Sequence, residues 1–238
     1  MVPGDSSGSG FRPEQHGDDL VRKALRIPSG GRAAPGQTPA KSGRKGPARV
    51  TGSGKVLQLK VSLKGARPPI WRRLEVPDDV MLEELHEILQ VAFEWGGGHL
   101  HVFEGGGRAY ADPSEEVEDT SSEVGVRLTR VVPVGGRLSY TYDFGDDWVH
   151  MIEVEKRTPA LDGVSYPRCT GGRRTAPPDD CGGIWGYQNL LEMHADPEFV
   201  ADEDSREEWL LSFMPADFDP SAFDPAALNR RLAAELSQ

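Results

Sequence analysis

The 238-residue chain has only two cysteines, Cys169 and Cys181. That is too few for a disulfide-framed scaffold, and a reducing compartment keeps such thiols unpaired. No run approaches the ~18 consecutive apolar residues that a membrane span requires, and no apolar stretch of signal-peptide type opens the chain. These absences predict a cytoplasmic protein with no membrane partner. Positive charge is scarce beyond residue 54. Residues 1–54 hold nine Lys and Arg against four Asp and Glu, so the totals of 27 and 38 leave 18 basic and 34 acidic residues for the rest. The net charge of −11 therefore divides into a head of +5 and a body of −16. So acidic a body argues against broad attraction to a phosphate backbone, because nonspecific nucleic-acid binding rests on clustered Lys and Arg.

The head is in turn short of apolar residues and holds 11 of the 28 glycines and 6 of the 19 prolines. Such a segment cannot bury enough surface to offset its ordering entropy, so 1–54 is expected to be disordered. Among its cations, Arg22, Lys23, Arg26, Arg32, Lys41, Arg44, Lys45 and Arg49 could form a flexible arm on nucleic acid. A solvated tail is the alternative, and any nucleic-acid contact is expected only here. Residues 55–238 fall within the size range of one compact domain.

Within that domain, Leu57, Leu59, Val61 and Leu63 alternate with Gln58, Lys60, Ser62 and Lys64, the period of a half-buried strand. After a break at Gly65–Pro69 the apolar face resumes at Ile70, Leu74 and Val76, giving an antiparallel neighbour. Pro77, Asp78 and Asp79 are expected to open a helix bearing Leu82, Leu85, Leu89 and Phe93, which Gly96–Gly98 would end. Residues 99–103 and 108–111 read as a hairpin. The acidic stretch 112–123 reads as a loop with no core residue but Val117. Residues 137–143 and 148–155 form a second hairpin around Phe144–Asp147, and its alternation places His150 on an apolar face with Trp148, Ile152 and Val154. Residues 158–183 have no period and read as a long loop. A short helix with Tyr187, Leu190 and Leu191 follows. Ser205 and Glu208 then make a capping box before Trp209, Leu210 and Phe213, and Asp224–Pro225 starts a last helix. Strands and helices are mostly segregated, so the fold class is α+β: an antiparallel or mixed sheet of hairpins packed with an early helix and C-terminal helices.

Three constellations could carry chemistry. In Tyr142-Asp143-Phe144-Gly145-Asp146-Asp147-Trp148-Val149-His150, carboxylates and an imidazole crowd one hairpin end. Asp143, Asp146, Asp147 and His150 are candidate ligands for a divalent metal, or an acid/base pair. Turn chemistry explains the same residues, because Asp and Gly favour turns and a core histidine needs only a hydrogen bond. The Asp-Phe-Gly here has no kinase context, lacking any upstream Gly-rich loop, strand lysine or catalytic-loop motif. The second constellation runs from Cys169 to Gly183, with Arg173, Arg174, Asp179 and Asp180 between or beside the thiols. It could supply half a zinc site, a redox pair or an anion-binding turn, but it lacks the close Cys spacing of zinc sites. Buried cysteines in a Pro/Gly-ordered loop are the alternative. The third is His99-Leu100-His101 with His86 on the preceding helix. Strand alternation would put His99 and His101 on one face, where both could meet a metal or a shared acid; histidines at this spacing are also common on solvated faces, and the metal reading gains only if one of the three lies near His150.

Taken together, the 56–63 strand, Pro68-Pro69-Ile70-Trp71-Arg72-Arg73, Leu85-His86 within 82–90, His99-Leu100-His101-Val102-Phe103, the Tyr142–His150 hairpin, and the Cys169–Gly183 loop ending in Gly186-Tyr187 resemble the plasmid pRi open-reading-frame-three-like family. The resemblance spans about residues 55–230. Gly96–Gly98 replace a more acidic linker, and Asp179 stands where Glu is usual. It implies a compact α+β domain often carried on mobile elements, with insertion-element passengers among the members, and no reaction that transfers. A resolvase label found among members gains no support: the acidic body offers neither a serine nor a tyrosine recombinase constellation, nor a DNA-reading helix-turn-helix. The two long motifs are expected to face one another. The candidate surface is Tyr142, Asp143, Asp146, Asp147, Trp148, His150, Arg173, Arg174, Asp179, Asp180 and Tyr187. With Trp185, its aromatics and arginines suit recognition of a protein partner by a non-enzymatic accessory module that needs no cofactor. The rival expectation is a metal-dependent hydrolase acting on a phosphoester, with Arg173 or Arg174 clamping the substrate.

Overall fold

The computed structural model describes residues 54–196, 211–212, 214 and 218–236. The head to residue 53, with all its cations, and the expected helix around 205–213 lie outside the described residues, apart from 211–212. The strands are β1 (Lys55–Leu63), β2 (Trp71–Pro77), β3 (His101–Gly105), β4 (Arg108–Ala111), β5 (Ser121–Ser122), β6 (Arg137–Tyr142), β7 (Trp148–Pro159) and β8 (Arg168–Arg173). The helices are α1 (Leu82–Phe93), α2 (Leu128–Val131), α3 (Gly183–Ala195) and α4 (Pro225–Glu235). The strands form one sheet in the order β5-β4-β3-β6-β7-β1-β2-β8. Every pairing is antiparallel except β4 with β5. The chain is α+β.

Period-two alternation builds the core. Leu57, Leu59, Val61 and Leu63 of β1 are buried together with Leu138, Tyr140 and Tyr142 of β6 and Trp148, His150, Ile152 and Val154 of β7. Each fully buried Leu or Val is worth roughly 1.5–3 kcal/mol over an exposed one. The apolar stripe of α1 covers this face, with Phe93 edge-on to His150 at 4.4 Å between ring centres. The other face carries partly exposed ion pairs between strands, including a bidentate Arg73–Glu155 pair that reaches from β2 across β1 to β7 with bonds of 2.8 and 2.9 Å.

Polar groups close the helix ends. The Met81 N–H donates to Glu84 Oε2 at 3.0 Å, so the N-terminal cap lies at Met81 rather than at Asp78 or Asp79. At the far end Glu94, in left-handed conformation with φ 64°, stops α1 two residues before the glycines. The turn comes there because the next residue, Trp95, swings back into the core. No basic residue sits in the last turn of α1; the buried Arg72 guanidinium supplies the charge from β2, donating through Nε to the Ala92 carbonyl at 3.1 Å. Its Nη1 also donates to the carbonyls of Trp71 and Arg173. A cation at a helix C-terminus opposes the helix dipole. Burial draws the Arg72 group down to about 10, so it stays charged at neutral pH.

Three further expectations are corrected. The 158–183 stretch is not one loop: β7 runs on to Pro159, and β8 pairs with β2 at the sheet edge. Its period was hidden by Gly171 and Gly172, and a Cβ at Gly172 would strike the Phe223 ring. The 112–123 segment adds β5 and buries Glu123, which pairs with His101 at 2.9 Å. The short helix α2 was not anticipated. Strand β3 begins at His101, not His99, which separates the two histidines. Finally, α4 begins as expected, with Asp224 Oδ1 accepting from the Ala226 N–H at 2.8 Å. It lies along β8, where Asn229 Oδ1 accepts from the Cys169 N–H at 2.6 Å and its Nδ2 donates to the Cys169 carbonyl at 2.9 Å.

Candidate functional site

Three segments converge at one end of the β6–β7 hairpin: the 143–147 turn, the 174–182 loop leading into α3, and Trp95–His99 between α1 and β3. Asp143 closes the turn itself, its Oδ1 accepting from the Gly145 N–H at 2.8 Å and its carbonyl from the Asp147 N–H at 2.7 Å. Asp146 reaches across, its Oδ2 accepting from the Gly182 N–H at 3.0 Å. The approach is so close that a Cβ on Gly183, with φ 65°, would collide with the Asp146 carbonyl. The Tyr142 hydroxyl donates to Asp179 Oδ2 at 3.3 Å, and Trp95 Nε1 donates to the Pro177 carbonyl at 3.0 Å. His99 completes the ring, with Nε2 3.0 Å from Asp180 Oδ1 and Nδ1 3.8 Å from Asp143 Oδ2. Asp143, Asp147, Arg174 and Asp180 all have positive φ, between 54° and 68°. Such conformations are costly away from glycine and persist where surrounding contacts enforce them.

This geometry redistributes the candidate residues. Tyr142, Trp148 and Tyr187 are buried, so Trp185, 77% exposed, is the aromatic left at the surface. Arg173 ends β8 and is exposed, while the charge of Arg174 faces the Tyr187 phenol and opposes the rise that burial imposes on it. The four residues first considered as metal ligands do not converge. His150 is wholly buried, its Nδ1 3.1 Å from the Trp148 carbonyl; strand alternation that begins with the buried Trp148 carries it to the inner face. Asp146 is committed to Gly182, and Asp147 is exposed. Among the described residues, the His, Cys, Asp and Glu side chains with ligand atoms mutually within 4.8 Å are His99, Asp143, Asp179 and Asp180. Burial raises the Asp179 carboxyl above its ordinary range, with His99 opposing.

His86 and His101 form another network. His86 stacks on His101 at 3.8 Å, and neither ring contacts His150. Gln90 Nε2 donates to the Tyr140 hydroxyl at 2.8 Å, which leaves that hydroxyl to donate to His86 Nδ1 at 2.9 Å. Burial, then the neighbouring His101, pull the His86 imidazole down to about 3, so it accepts as the neutral ring. Both cysteines are free and buried. Burial, aided by the Asp146 charge, pushes the Cys181 thiol up to about 12, which keeps it protonated and inert. Trp95 and the pairing of His99 with Asp180 escaped sequence reasoning. The Gly96–Gly98 run between them was the available signal, because it lets the chain double back.

The described residues thus define a class: a single α+β sheet whose most constrained feature is a hairpin turn clamped by a distant loop. The pattern of the plasmid pRiA4b ORF-3-like protein family matches residues 55–227, and the chain belongs to this family. It is 36% identical over 178 residues to the "Uncharacterized protein y4hQ" of Sinorhizobium fredii, covering 74% of this chain and 89% of that one. It is also similar to the crystal structure of the protein of unknown function MM3350 from Methanosarcina mazei Go1. That likeness has a TM-score of 0.65 and 37% identity, and covers 73% of this chain and 97% of that one.

Proposed function

We propose that the protein is an accessory binding protein of the cytoplasm that engages a protein partner through the face where the 143–147 turn meets the 174–182 loop. One observation carries this reading: the face is held in a fixed shape by bonds between distant segments, Asp146 to Gly182 and Tyr142 to Asp179, yet it leaves Trp185 77% exposed just beyond. Exposed tryptophan and arginine on a rigid frame are what binding hot spots are made of, and Arg173 lies exposed at the start of the same loop. No helix among the described residues is long and apolar enough to cross a membrane, and the two unpaired thiols suit a reducing compartment. The plasmid in the family name supports an association with mobile genetic elements. The test places a photo-crosslinking side chain at position 189, exposed one helical turn beyond Trp185, and captures partners in the native host. Trp185→Ala and Arg173→Glu should abolish the captured complex at unchanged melting temperature. Wild-type affinity in both variants would refute the reading. The rival, hydrolysis of a phosphoester with a bound metal, is favoured by the clustering of His99 with three aspartates.

A further inference from the structure

We propose that His99, Asp143, Asp179 and Asp180 form a binding site for a divalent first-row transition cation, which joins the three segments of this face. The inference deepens the reading above and rests on it only in treating the turn and the loop as one working surface.

The donor set comes from three separate stretches of chain: His99 from the approach to β3, Asp143 from the hairpin turn, and Asp179 with Asp180 from the loop. The proximity is therefore a product of the fold, and all four ligand atoms lie within 4.8 Å of one another. A cation about 2.1 Å from each donor needs them within about 4.2 Å of each other at most, so the side chains must draw inward to coordinate it.

One buried oxygen without a partner, on Asp179, and one unbonded oxygen on Asp143 point to a missing ligand. The Asp143 residue is 8% exposed. Its Oδ1 is spent on Gly145, but its Oδ2 accepts no hydrogen bond among the described residues, and His99 Nδ1 stands 3.8 Å off. Asp179 Oδ1 is shielded from solvent and likewise has no hydrogen-bond partner. A buried carboxylate oxygen left unpaired is costly. Among the described residues no lysine or arginine forms an ion pair with any of the three aspartates; the imidazole beside them is that of His99. Three carboxylates against a single imidazole leave a charge that a dication neutralises.

The donors also select the ion. Three carboxylates alone would suit Mg²⁺ or Ca²⁺, but an imidazole nitrogen shifts preference toward Mn²⁺ or Zn²⁺. Asp180 is the most open of the four, its side chain 58% exposed. Coordination positions on that side face outward, where an oxyanion of a partner or substrate could fill them.

The test uses untagged full-length protein stripped with a chelator and titrated with Mn²⁺ and Zn²⁺ by calorimetry, with Mn²⁺ also followed by its electron paramagnetic resonance signal. One equivalent should bind, with a rise in melting temperature. Affinity should fall at least tenfold in Asp143→Asn, which preserves the acceptor oxygen that closes the turn, and in Asp179→Asn, which preserves the acceptor for Tyr142. Circular dichroism verifies that both variants are folded. Tight binding of Ca²⁺ in preference to Mn²⁺, binding unchanged by both substitutions, or no saturable binding at 100-fold molar excess would each overturn the proposal. No partner is present in this measurement, so it can fail while Trp185-dependent capture succeeds, and the reverse.

Discussion

His150 makes the protein acid-sensitive in a way that one substitution isolates. The ring is fully buried, 4.4 Å from Phe93, 5.2 Å from Trp95 and 5.6 Å from Tyr140 between ring centres. Arg72 is the charge that bears on it. Burial is the main cause that pulls its imidazole down to about 3 from the ordinary 6.5, and Arg72 adds to it. In the unfolded chain this histidine takes a proton near pH 6.5, whereas the folded protein refuses it until about pH 3. The unfolded state therefore binds more protons throughout that window, and stability is complete above pH 6.5 and declines as the pH falls. The slope contributed by this residue is about 1.4 kcal/mol per pH unit, which amounts to roughly 2 kcal/mol by pH 5 and 3 kcal/mol by pH 4. His150→Asn keeps a donor for the Trp148 carbonyl and removes the titration. It should cost roughly 1–3 kcal/mol at pH 7 for the volume lost, but its penalty should shrink as the solution is acidified. Urea unfolding at half-unit steps from pH 7.5 to 4 measures both lines. Parallel lines for wild type and variant would refute the assignment of a neutral, proton-excluding histidine.

Gly183→Ala should cost roughly 2 kcal/mol or more, since the added Cβ meets the Asp146 carbonyl at a positive φ. Urea titration gives the figure, and near-ultraviolet circular dichroism of the nearby tryptophans should report the loosened loop. Arg72→Met should destabilise by roughly 3 kcal/mol or more because the carbonyls of Ala92, Trp71 and Arg173 lose a shared donor inside the protein. The same denaturation assay tests it, and a change under 1 kcal/mol would show that the carbonyls find water instead.

What the sequence disclosed follows the reach of each physical signal. Alternation along β1, β2, β6 and β7 was legible because those strands bury one face, and Asp224–Pro225 marked α4 because capping is local. Strand β8 escaped because an edge strand made of Arg-Cys-Thr-Gly-Gly-Arg buries little, and its glycines answer to Phe223 across space. The buried pair of His101 and Glu123 was illegible for a similar reason: 22 positions separate them, and nothing local distinguishes an acid that will be buried from one that will stay solvated. At the candidate site, Asp and Gly announced the turn, and both long motifs were recognised as belonging together. That His99, Asp143, Asp179 and Asp180 meet was not. His150 was included in the candidate surface although its own alternation placed it on the apolar face. His99 was grouped with His101 although the chain bends between them.

The paired bonds from Asn229 to the Cys169 peptide have a consequence for how this molecule behaves in a crowd of copies. A side-chain amide offers one donor and one acceptor at the spacing of a backbone peptide, so Asn229 acts as a single rung of a ninth strand and then stops. At the opposite margin β5 is two residues long, too brief to recruit a neighbour. The sheet thus ends on one side in a counterfeit rung and on the other in a stub, and neither invites the edge-to-edge growth that open strands promote. A chain that lost α4 would regain a free margin along β8. Premature termination near residue 224 would then produce not merely a weaker fold but a self-adhesive one.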